Sequence, residues 1–152
     1  MALLRTPDKT LLEDWLGDAD MECYLCGQCE GLHIRILQGA RGVIDSRLFI
    51  EDYGLLLTTE LEIRPGALLQ VSADLGRLNL DYPTLKVFLD VVDEAVPQLV
   101  VAGNFHTGAG LSQEQFGQFM VSSVEGTEHL ANNCQQLNYL YLGAESDRSL
   151  LH

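Results

Sequence analysis

The sequence predicts an α+β fold in which helices pack against an antiparallel sheet. Segments between residues 32 and 63 alternate apolar and polar side chains with the period of a β-strand, whereas flanking segments space their apolar residues as amphipathic helices do. Short glycine-containing connections between the strand segments favour antiparallel hairpins. The predicted order of elements is α-β-β-β-α-β-β-α.

The first half of the chain accounts for a helix and three strands. Threonine caps helices and proline fits the first helical position, so Thr6-Pro7 is predicted to start the first helix. Three strands follow, over residues 32–37, 43–52 and 53–63. The residues predicted to face the core are Leu11, Leu12, Trp15, Leu16, Leu32, Ile34, Ile36, Ile44, Leu48, Ile50, Leu55, Leu57, Leu61 and Ile63.

The second half adds two helices and two strands. Arg64-Pro65 ends the third strand, and a helix with an apolar stripe follows it. Two strands are predicted over residues 84–95 and 97–106, joined by an acidic turn that ends at Pro97. Ser112 and Gln115 form a capping box at the start of the last helix. The predicted apolar faces are Leu68, Val71, Leu75 and Leu78, then Phe116, Phe119, Met120 and Val124, and an extended tail follows Asn132-Asn133.

Composition and charge limit the possible functions. The chain has 152 residues and shows no linker or repeat, so we expect a single domain over residues 1–152. Nine lysines and arginines against 22 acidic residues give a net charge of −13, which repels nucleic acid and anionic membranes. The sequence has no apolar run long enough to cross a membrane and no secretory N-terminus, so we expect a cytoplasmic protein with reduced thiols.

Three cysteines and a histidine form the main chemical candidate. Cys23, Cys26, Cys29 and His33 provide four potential zinc ligands, but in one local cluster without the second pair that structural zinc sites commonly have. An iron–sulfur site is disfavoured because its fourth cysteine and proline are absent. A Cys26–Cys29 redox pair would need a thioredoxin-like context that the sequence lacks. Buried or half-buried thiols beside a turn at Gly27 are the favoured interpretation, with a metal or thiol-redox sensor as the alternative.

Other titratable residues give no catalytic pattern. His106 in "NFHTGAG" is a candidate for a small polar site near a strand end, although a lone histidine is usually a surface residue. Asp90, Asp93 and Glu94 are predicted to form a solvated acidic surface. The sequence contains no phosphate loop and no nucleophile elbow, so we predict neither an enzyme nor a cofactor.

Several of these segments together resemble the YbjN family of bacterial proteins. The similarity extends from about Leu12 to Gln118 and rests on the segments "CGQCEGLHI", "VIDSRLFIEDYGLLL", "EIRPGALLQVSADLGRLN", "LKVFLDVVDEAVPQLVV" and "SQEQFGQFM". The family is described as sensory-transduction regulators and includes AmyR-like regulators, and its fold resembles that of type III secretion chaperones. In the family pattern Cys26 and Cys29 precede the Leu-His of the strand, whereas Cys23 is a departure from it.

The resemblance implies a non-enzymatic regulator or adaptor that acts through protein contacts, and the likeness to secretion chaperones makes a chaperone-like mode of binding one expectation. It connects such a protein with stress tolerance, motility, exopolysaccharide production or virulence traits. It also implies a homodimer with a protein partner of unknown identity. No catalytic residue is carried over from the family.

Overall fold

A computed structural model describes residues 3–92 and 95–143. In chain order its elements are α1 (Lys9–Asp18), β1 (Cys23–Tyr24), β2 (Leu32–Ile34), α2 (Arg35–Gln38), β3 (Val43–Glu51), β4 (Gly54–Glu62), a 3-10 turn (Pro65–Ala67), α3 (Leu68–Asp81), β5 (Lys86–Asp90), β6 (Gln98–His106) and α4 (Gln113–Gln136). The strands form one antiparallel sheet in the order β1-β2-β3-β4-β6-β5. The predicted fold class is therefore confirmed.

Strand pairing sorts the side chains of the sheet onto two faces, because successive residues of a strand point to opposite sides. On the core face, apolar residues of neighbouring strands lie side by side, as Leu61 and Leu99 do across β4 and β6. Helices α1, α3 and α4 pack on this face. The second face carries the alternate residues, among them His33 and Arg47, which are paired across β2 and β3.

Helix α4 joins the two halves of the core. Its first half contributes Phe116 and Met120 to a cluster with α1, and its second half contributes Leu130 and Cys134 to a cluster with α3. Burial of a large apolar side chain stabilises the fold by roughly 1.5–3 kcal/mol, so this helix makes a large contribution. No helix in the described part of the chain is both long and apolar enough to span a bilayer.

Most residues predicted to face the core are buried. Those confirmed as buried are Leu11, Leu12, Trp15, Leu16, Leu32, Ile34, Leu48, Leu55, Leu57, Leu61, Ile63, Val71, Leu78, Phe116, Met120 and Val124. The prediction is wrong for Ile44 and Ile50, which are 37% and 39% exposed. A bulge between Val43 and Asp45 interrupts the regular pairing at Ile44, and Ile50 lies near the exposed end of β3.

The region around β2 differs from the predicted element order. A two-residue strand, β1, precedes β2, and the predicted strand over residues 32–37 ends at Ile34, where helix α2 begins. The helical turn buries Leu37 and leaves Ile36 57% exposed, the opposite of what continued strand alternation would produce. It also lets the Gln38 side chain reach the backbone of β3.

Side-chain caps define the starts of the first and last helices. The predicted start at Thr6-Pro7 is wrong, because Asp8 is the N-cap of α1 and its carboxylate accepts a hydrogen bond from the Leu11 N–H at 2.8 Å. The predicted capping box of Ser112 and Gln115 is confirmed, with both reciprocal hydrogen bonds present. Asp8 is thus the local signal that the sequence interpretation missed.

The ends of β5 and α4 also differ from the predicted ones. Strand β5 ends at Asp90, and Asp93 and Glu94 of the predicted acidic turn lie outside the described residues. Helix α4 continues past Asn132-Asn133 to Gln136. The following tail lies beside the end of β4, where Leu140 forms an isolated bridge with Ile63.

The β5 edge of the sheet is partly covered by a side chain. Asn79 of α3 accepts a hydrogen bond from the Val87 N–H at 2.9 Å and donates one to the Val87 carbonyl at 3.0 Å. These two backbone groups would otherwise be available to another strand. The amide therefore protects this edge against pairing with another chain.

We expect Ser112→Ala to lower the free energy of unfolding by about 1 kcal/mol, because it removes the hydroxyl that caps α4. Urea denaturation with an unchanged m-value would measure this loss. Ser72→Ala is the matched control, since Ser72 is exposed within α3 and alanine favours helix there by up to about 0.5 kcal/mol. Equal destabilisation by the two substitutions would contradict the capping role.

Candidate functional site

The segment between β1 and β2 brings two cysteines together in a tight turn. Gly27 has a φ of +79°, a left-handed conformation that glycine adopts without steric strain. The turn directs the Gln28 N–H at the Cys26 sulfur, with an N–Sγ distance of 3.4 Å. The sulfur atoms of Cys26 and Cys29 lie 3.3 Å apart. The predicted turn at Gly27 is present, but Cys26 is exposed rather than buried or half-buried.

His33 joins these two thiols, and we call Cys26, Cys29 and His33 the thiol-imidazole cluster. The Nε2 atom of His33 lies 3.4 Å from the Cys29 sulfur, and the three potential ligand atoms lie within 4.8 Å of one another. Cys26 is exposed, Cys29 is half-buried and His33 is buried. The cluster is therefore open to solvent on the Cys26 side.

Neighbouring polar groups set the orientation of the imidazole. The Nδ1 atom of His33 lies 3.1 Å from the Gln38 Oε1 atom and 3.2 Å from the Asp45 Oδ1 atom. Both oxygens are acceptors, so Nδ1 carries the proton. In the neutral ring, Nε2 then directs its lone pair toward the thiols.

Gln38 is itself held in place by β3. Its Oε1 atom also accepts a hydrogen bond from the Ser46 N–H at 2.9 Å, and its Nε2 donates to the Ile44 carbonyl at 3.0 Å. The Tyr24 ring stacks on the imidazole of His33 with centroids 4.8 Å apart and planes 9° apart. These contacts leave His33 only 5% exposed, and its ring is held by groups from β1, α2 and β3.

Arg47 adds a positive charge beside the cluster. Its guanidinium forms an ion pair with Glu60, with an Nη2–Oε1 distance of 2.8 Å, and it also interacts with Cys29. The Nε atom of Arg47 is buried and has no hydrogen-bond partner within the described residues. A cation in this position favours negative charge on the neighbouring sulfurs.

The turn and its neighbours shift the acidity of the cluster. The Gln28 N–H, followed by contacts with Cys29 and His33, lowers the pKa of the Cys26 thiol to about 6. Burial opposes protonation of His33, but the hydrogen bond to Gln38 and the interactions with Cys26 and Asp45 outweigh it and raise the pKa of the imidazole. A backbone N–H of the turn, rather than a thioredoxin-like context, thus has the largest effect in lowering the pKa of the Cys26 thiol.

The remaining cysteines lie elsewhere, so the alternative four-ligand set that includes Cys23 is not brought together. Cys23 pairs with Ile34 and packs against the core face, while its neighbour Tyr24 points to the second face. Burial, and then the charge of Glu13, raise the pKa of the Cys23 thiol. Cys134 is buried on the inner side of α4, where burial raises the pKa of its thiol to about 12.

The other sequence candidates remain apart from this cluster. His106 is the last residue of β6, and its ring contacts Tyr53 at a centroid distance of 5.7 Å. Asp90 is exposed at the end of β5, as the prediction of a solvated acidic surface required. Neither residue contributes to the thiol-imidazole cluster.

A second candidate site lies on the outer side of α4. The connection at residues 81–84 runs beside this helix and leaves an open groove of about 930 Å³, which we call the α4 groove. Val121 is 46% exposed in the groove, and Gly117 lacks a side chain that would fill it. At one end the Tyr82 hydroxyl hydrogen-bonds to the His129 imidazole at 2.8 Å.

The lining of this groove combines an apolar surface with acidic groups. Asp81, Glu114 and Glu125 line it together with the apolar positions. Asp81 is also ion-paired with Arg77 at 3.0 Å, so Glu114 and Glu125 give the groove its net negative charge. The site is therefore complementary to a ligand that is both apolar and basic.

The sequence analysis missed the residues that complete both sites. Asp45 reaches His33 through the pairing of β2 with β3, and Gln38 reaches it through the helical turn α2 that follows β2. The strand-like alternation of the sequence indicates neither contact. The sequence does contain an indication of the groove, because Gly117 and Gly126 lie within a well-capped helix. Glycine destabilises a helix interior by roughly 1 kcal/mol relative to alanine, so such residues often indicate an open or closely packed surface.

We expect Cys26 to be alkylated by iodoacetamide at a rate that is half-maximal near pH 6 in reduced, chelator-treated protein, because its thiolate forms above that pKa. Cys23 is the internal control. Because its pKa is raised, its thiolate forms only at alkaline pH, and its alkylation rate should still be rising there. Mass spectrometry of the labelled peptides would measure both profiles. Parallel profiles for the two cysteines would contradict the pKa assigned to Cys26.

Comparison with known proteins agrees with the resemblance. Residues 8–136 match the model of the YbjN family, described as "Putative bacterial sensory transduction regulator". The chain is 35% identical over 125 residues to "Uncharacterized protein YbjN" of Escherichia coli (strain K12), which covers 82% of this chain and 79% of that protein. The same values apply to the protein of that description from Shigella flexneri.

A solved structure gives the same result for the fold. The crystal structure of YbjN, described as "a putative transcription regulator from E. coli", superposes with a TM-score of 0.88 at 31% sequence identity. The match covers 93% of this chain and 100% of that one. Together with the family match over residues 8–136, this shows that the chain belongs to the YbjN family.

Proposed function

We propose that this protein is a non-enzymatic regulator that acts by binding another protein in the α4 groove. The observation that carries the proposal is the combination of exposed apolar surface at Val121 with the acidic lining from Glu114 and Glu125. The description of the family as sensory-transduction regulators supports the coarser part of this proposal. Effects on stress tolerance, motility, exopolysaccharide or virulence traits would follow from loss of the bound partner.

The chemistry of the groove favours an amphipathic segment with basic flanks as its occupant. Apolar side chains of the segment would cover Val121 and the space beside Gly117, and lysine or arginine side chains would approach Glu114 and Glu125. Segments of this kind bind grooves as amphipathic helices. Because the groove is open along its length, it suits a polypeptide better than a small ligand that requires enclosure. Holding a client segment in this way would be chaperone-like.

The charge and thiols of the chain support the partner class and location that we propose. A net charge of −13 disfavours direct contact with DNA or RNA and favours basic protein segments. Cys23, Cys26, Cys29 and Cys134 are free thiols, as is usual in the reducing cytoplasm. We therefore propose a cytoplasmic regulator that acts on proteins rather than on nucleic acid.

Substitution of a glycine by a bulky residue tests the groove without disturbing the core. Gly117→Trp should weaken binding of a synthetic leucine- and lysine-based amphipathic helix by about tenfold or more, because the indole occupies the groove. Gly76→Trp is the matched control: it makes the same change on exposed α3, and a Cβ at either position contacts nothing within 4 Å. Fluorescence anisotropy of the labelled peptide would measure the affinities.

A second peptide separates specific binding from general adhesion to apolar surface. A peptide with glutamates in place of lysines should bind the protein much more weakly, because Glu114 and Glu125 repel it. Added salt should lower the affinity of the lysine peptide, because salt screens its attraction to the same two residues. In cells, Gly117→Trp should reproduce the phenotype caused by deleting the gene for this protein, whereas Gly76→Trp should not. Equal binding of the two peptides, or equal effects of the two substitutions, would overturn the proposal.

The homodimer implied by the family resemblance stays a prediction. Native mass spectrometry of the full chain reports the number of subunits directly. A mass of two chains at micromolar concentration is the expected result, and a single-chain mass would contradict it. The α4 groove lies within one chain, so its use does not depend on this outcome.

A further inference from the structure

We propose that the thiol-imidazole cluster is a metal site that binds one Zn²⁺ ion through Cys26 Sγ, Cys29 Sγ and His33 Nε2, with its fourth coordination position open to solvent. This inference does not depend on the α4 groove, because the two sites share no residue. The proposed regulatory function gives the thiol-imidazole cluster no role, and this inference assigns it a ligand.

The distances between the three atoms are compatible with a tetrahedral zinc site after a small adjustment. With Zn–S bonds of about 2.3 Å and a Zn–N bond of about 2.0 Å, the sulfurs lie about 3.8 Å apart and each sulfur lies about 3.5 Å from the nitrogen. Here the sulfurs are 3.3 Å apart, the Cys29 sulfur is 3.4 Å from His33 Nε2, and all pairs lie within 4.8 Å. Cys26 is exposed, so its side chain has room to move toward a bound metal.

The imidazole is already oriented as a metal ligand. A metal-binding histidine donates its other N–H to a carboxylate or a carbonyl, which fixes the ring and the tautomer. His33 makes this contact with Asp45 and Gln38, at 3.2 and 3.1 Å from Nδ1. Its Nε2 faces the thiols rather than solvent, and stacking on Tyr24 prevents the ring from turning away.

The turn prepares the sulfur ligands in a similar way. The C-x2-C spacing of Cys26 and Cys29 is typical of a zinc-binding pair. The Gln28 N–H points at the Cys26 sulfur, and the Arg47 guanidinium lies beside Cys29, so both sulfurs have donors that compensate the charge of a bound thiolate. Two thiolates and one imidazole favour zinc over magnesium or calcium, which prefer oxygen ligands.

The fourth position distinguishes this site from a closed structural one. Cys23 cannot fill it, because its side chain lies on the core face of the sheet. Cys26 is exposed, so a water molecule can complete the coordination from outside. A site with three protein ligands and an accessible fourth position exchanges its metal or its fourth ligand more readily than a closed four-ligand site. These properties suit a protein that responds to available zinc.

Titration of the chelator-treated full chain with Zn²⁺ under reducing conditions tests the proposal. Native mass spectrometry should show one zinc ion per chain. Co²⁺ in place of Zn²⁺ should produce a thiolate-to-metal charge-transfer band and the visible bands of tetrahedral cobalt. Zinc should also raise the midpoint of thermal unfolding, because it binds the folded chain.

Cysteine substitutions locate the metal. Cys26→Ser should lower zinc affinity by about 100-fold or more, since loss of a direct ligand exceeds the 10–100-fold effect of losing an outer partner. Cys23→Ser is the matched control: it makes the same chemical change three residues earlier on the other face of the sheet, and it should leave affinity unchanged. Because Cys26 is exposed, its substitution should preserve the circular dichroism spectrum of the native fold.

Three results would overturn the assignment. The first is failure of the reduced wild-type chain to take up zinc or cobalt. The second is equal loss of affinity in Cys23→Ser and Cys26→Ser, which would place the metal elsewhere. The third is uptake of Cu⁺ alone, which would make the cluster a site for a different metal.

Discussion

Burial of one face of the sheet beneath α4 is the constraint on which the rest of the structure depends. Leu57 of β4 and Phe116 of α4 belong to the same buried cluster. A strand has a period of two, so a shift of one residue in its pairing would move its whole apolar set to solvent. The register is therefore fixed by the core. The alternate residues, including His33 and Asp45, then have to meet on the second face.

The polar network on that face depends on one short element. Helix α2 turns the chain after β2, buries Leu37 in the core and positions Gln38 against β3. The amide of Gln38 satisfies two backbone groups of β3 and still accepts a hydrogen bond from the His33 Nδ1–H. Apolar packing and the orientation of the imidazole are thus coupled within one helical turn. The α4 groove is separate from this network, because it lies on the outer side of the helix whose inner side covers the sheet.

Much of the fold could be predicted because it depends on local patterns. The alternation in β4 and the capping box at Ser112 are set by neighbouring residues, and both were predicted correctly. Strand β1 could not be predicted in this way, since two residues become a strand only through pairing with β2. Helix α2 was also missed, because Ile34 and Ile36 continue a strand-like alternation that the burial of Leu37 overrides. Tertiary packing outweighs local propensity in such short elements.

The sequence by itself determined which chemical groups are available and how the short turn between two cysteines forms. The spacing of Cys26 and Cys29 around Gly27 brings their sulfurs together through local geometry. Only the tertiary structure decided that His33 joins them and that Cys23 does not. The reason is the pairing of β1 with β2, which sends side chains of alternate residues to opposite faces of the sheet. Long-range register, which no local spacing encodes, therefore selected the three members of the cluster from the four candidates.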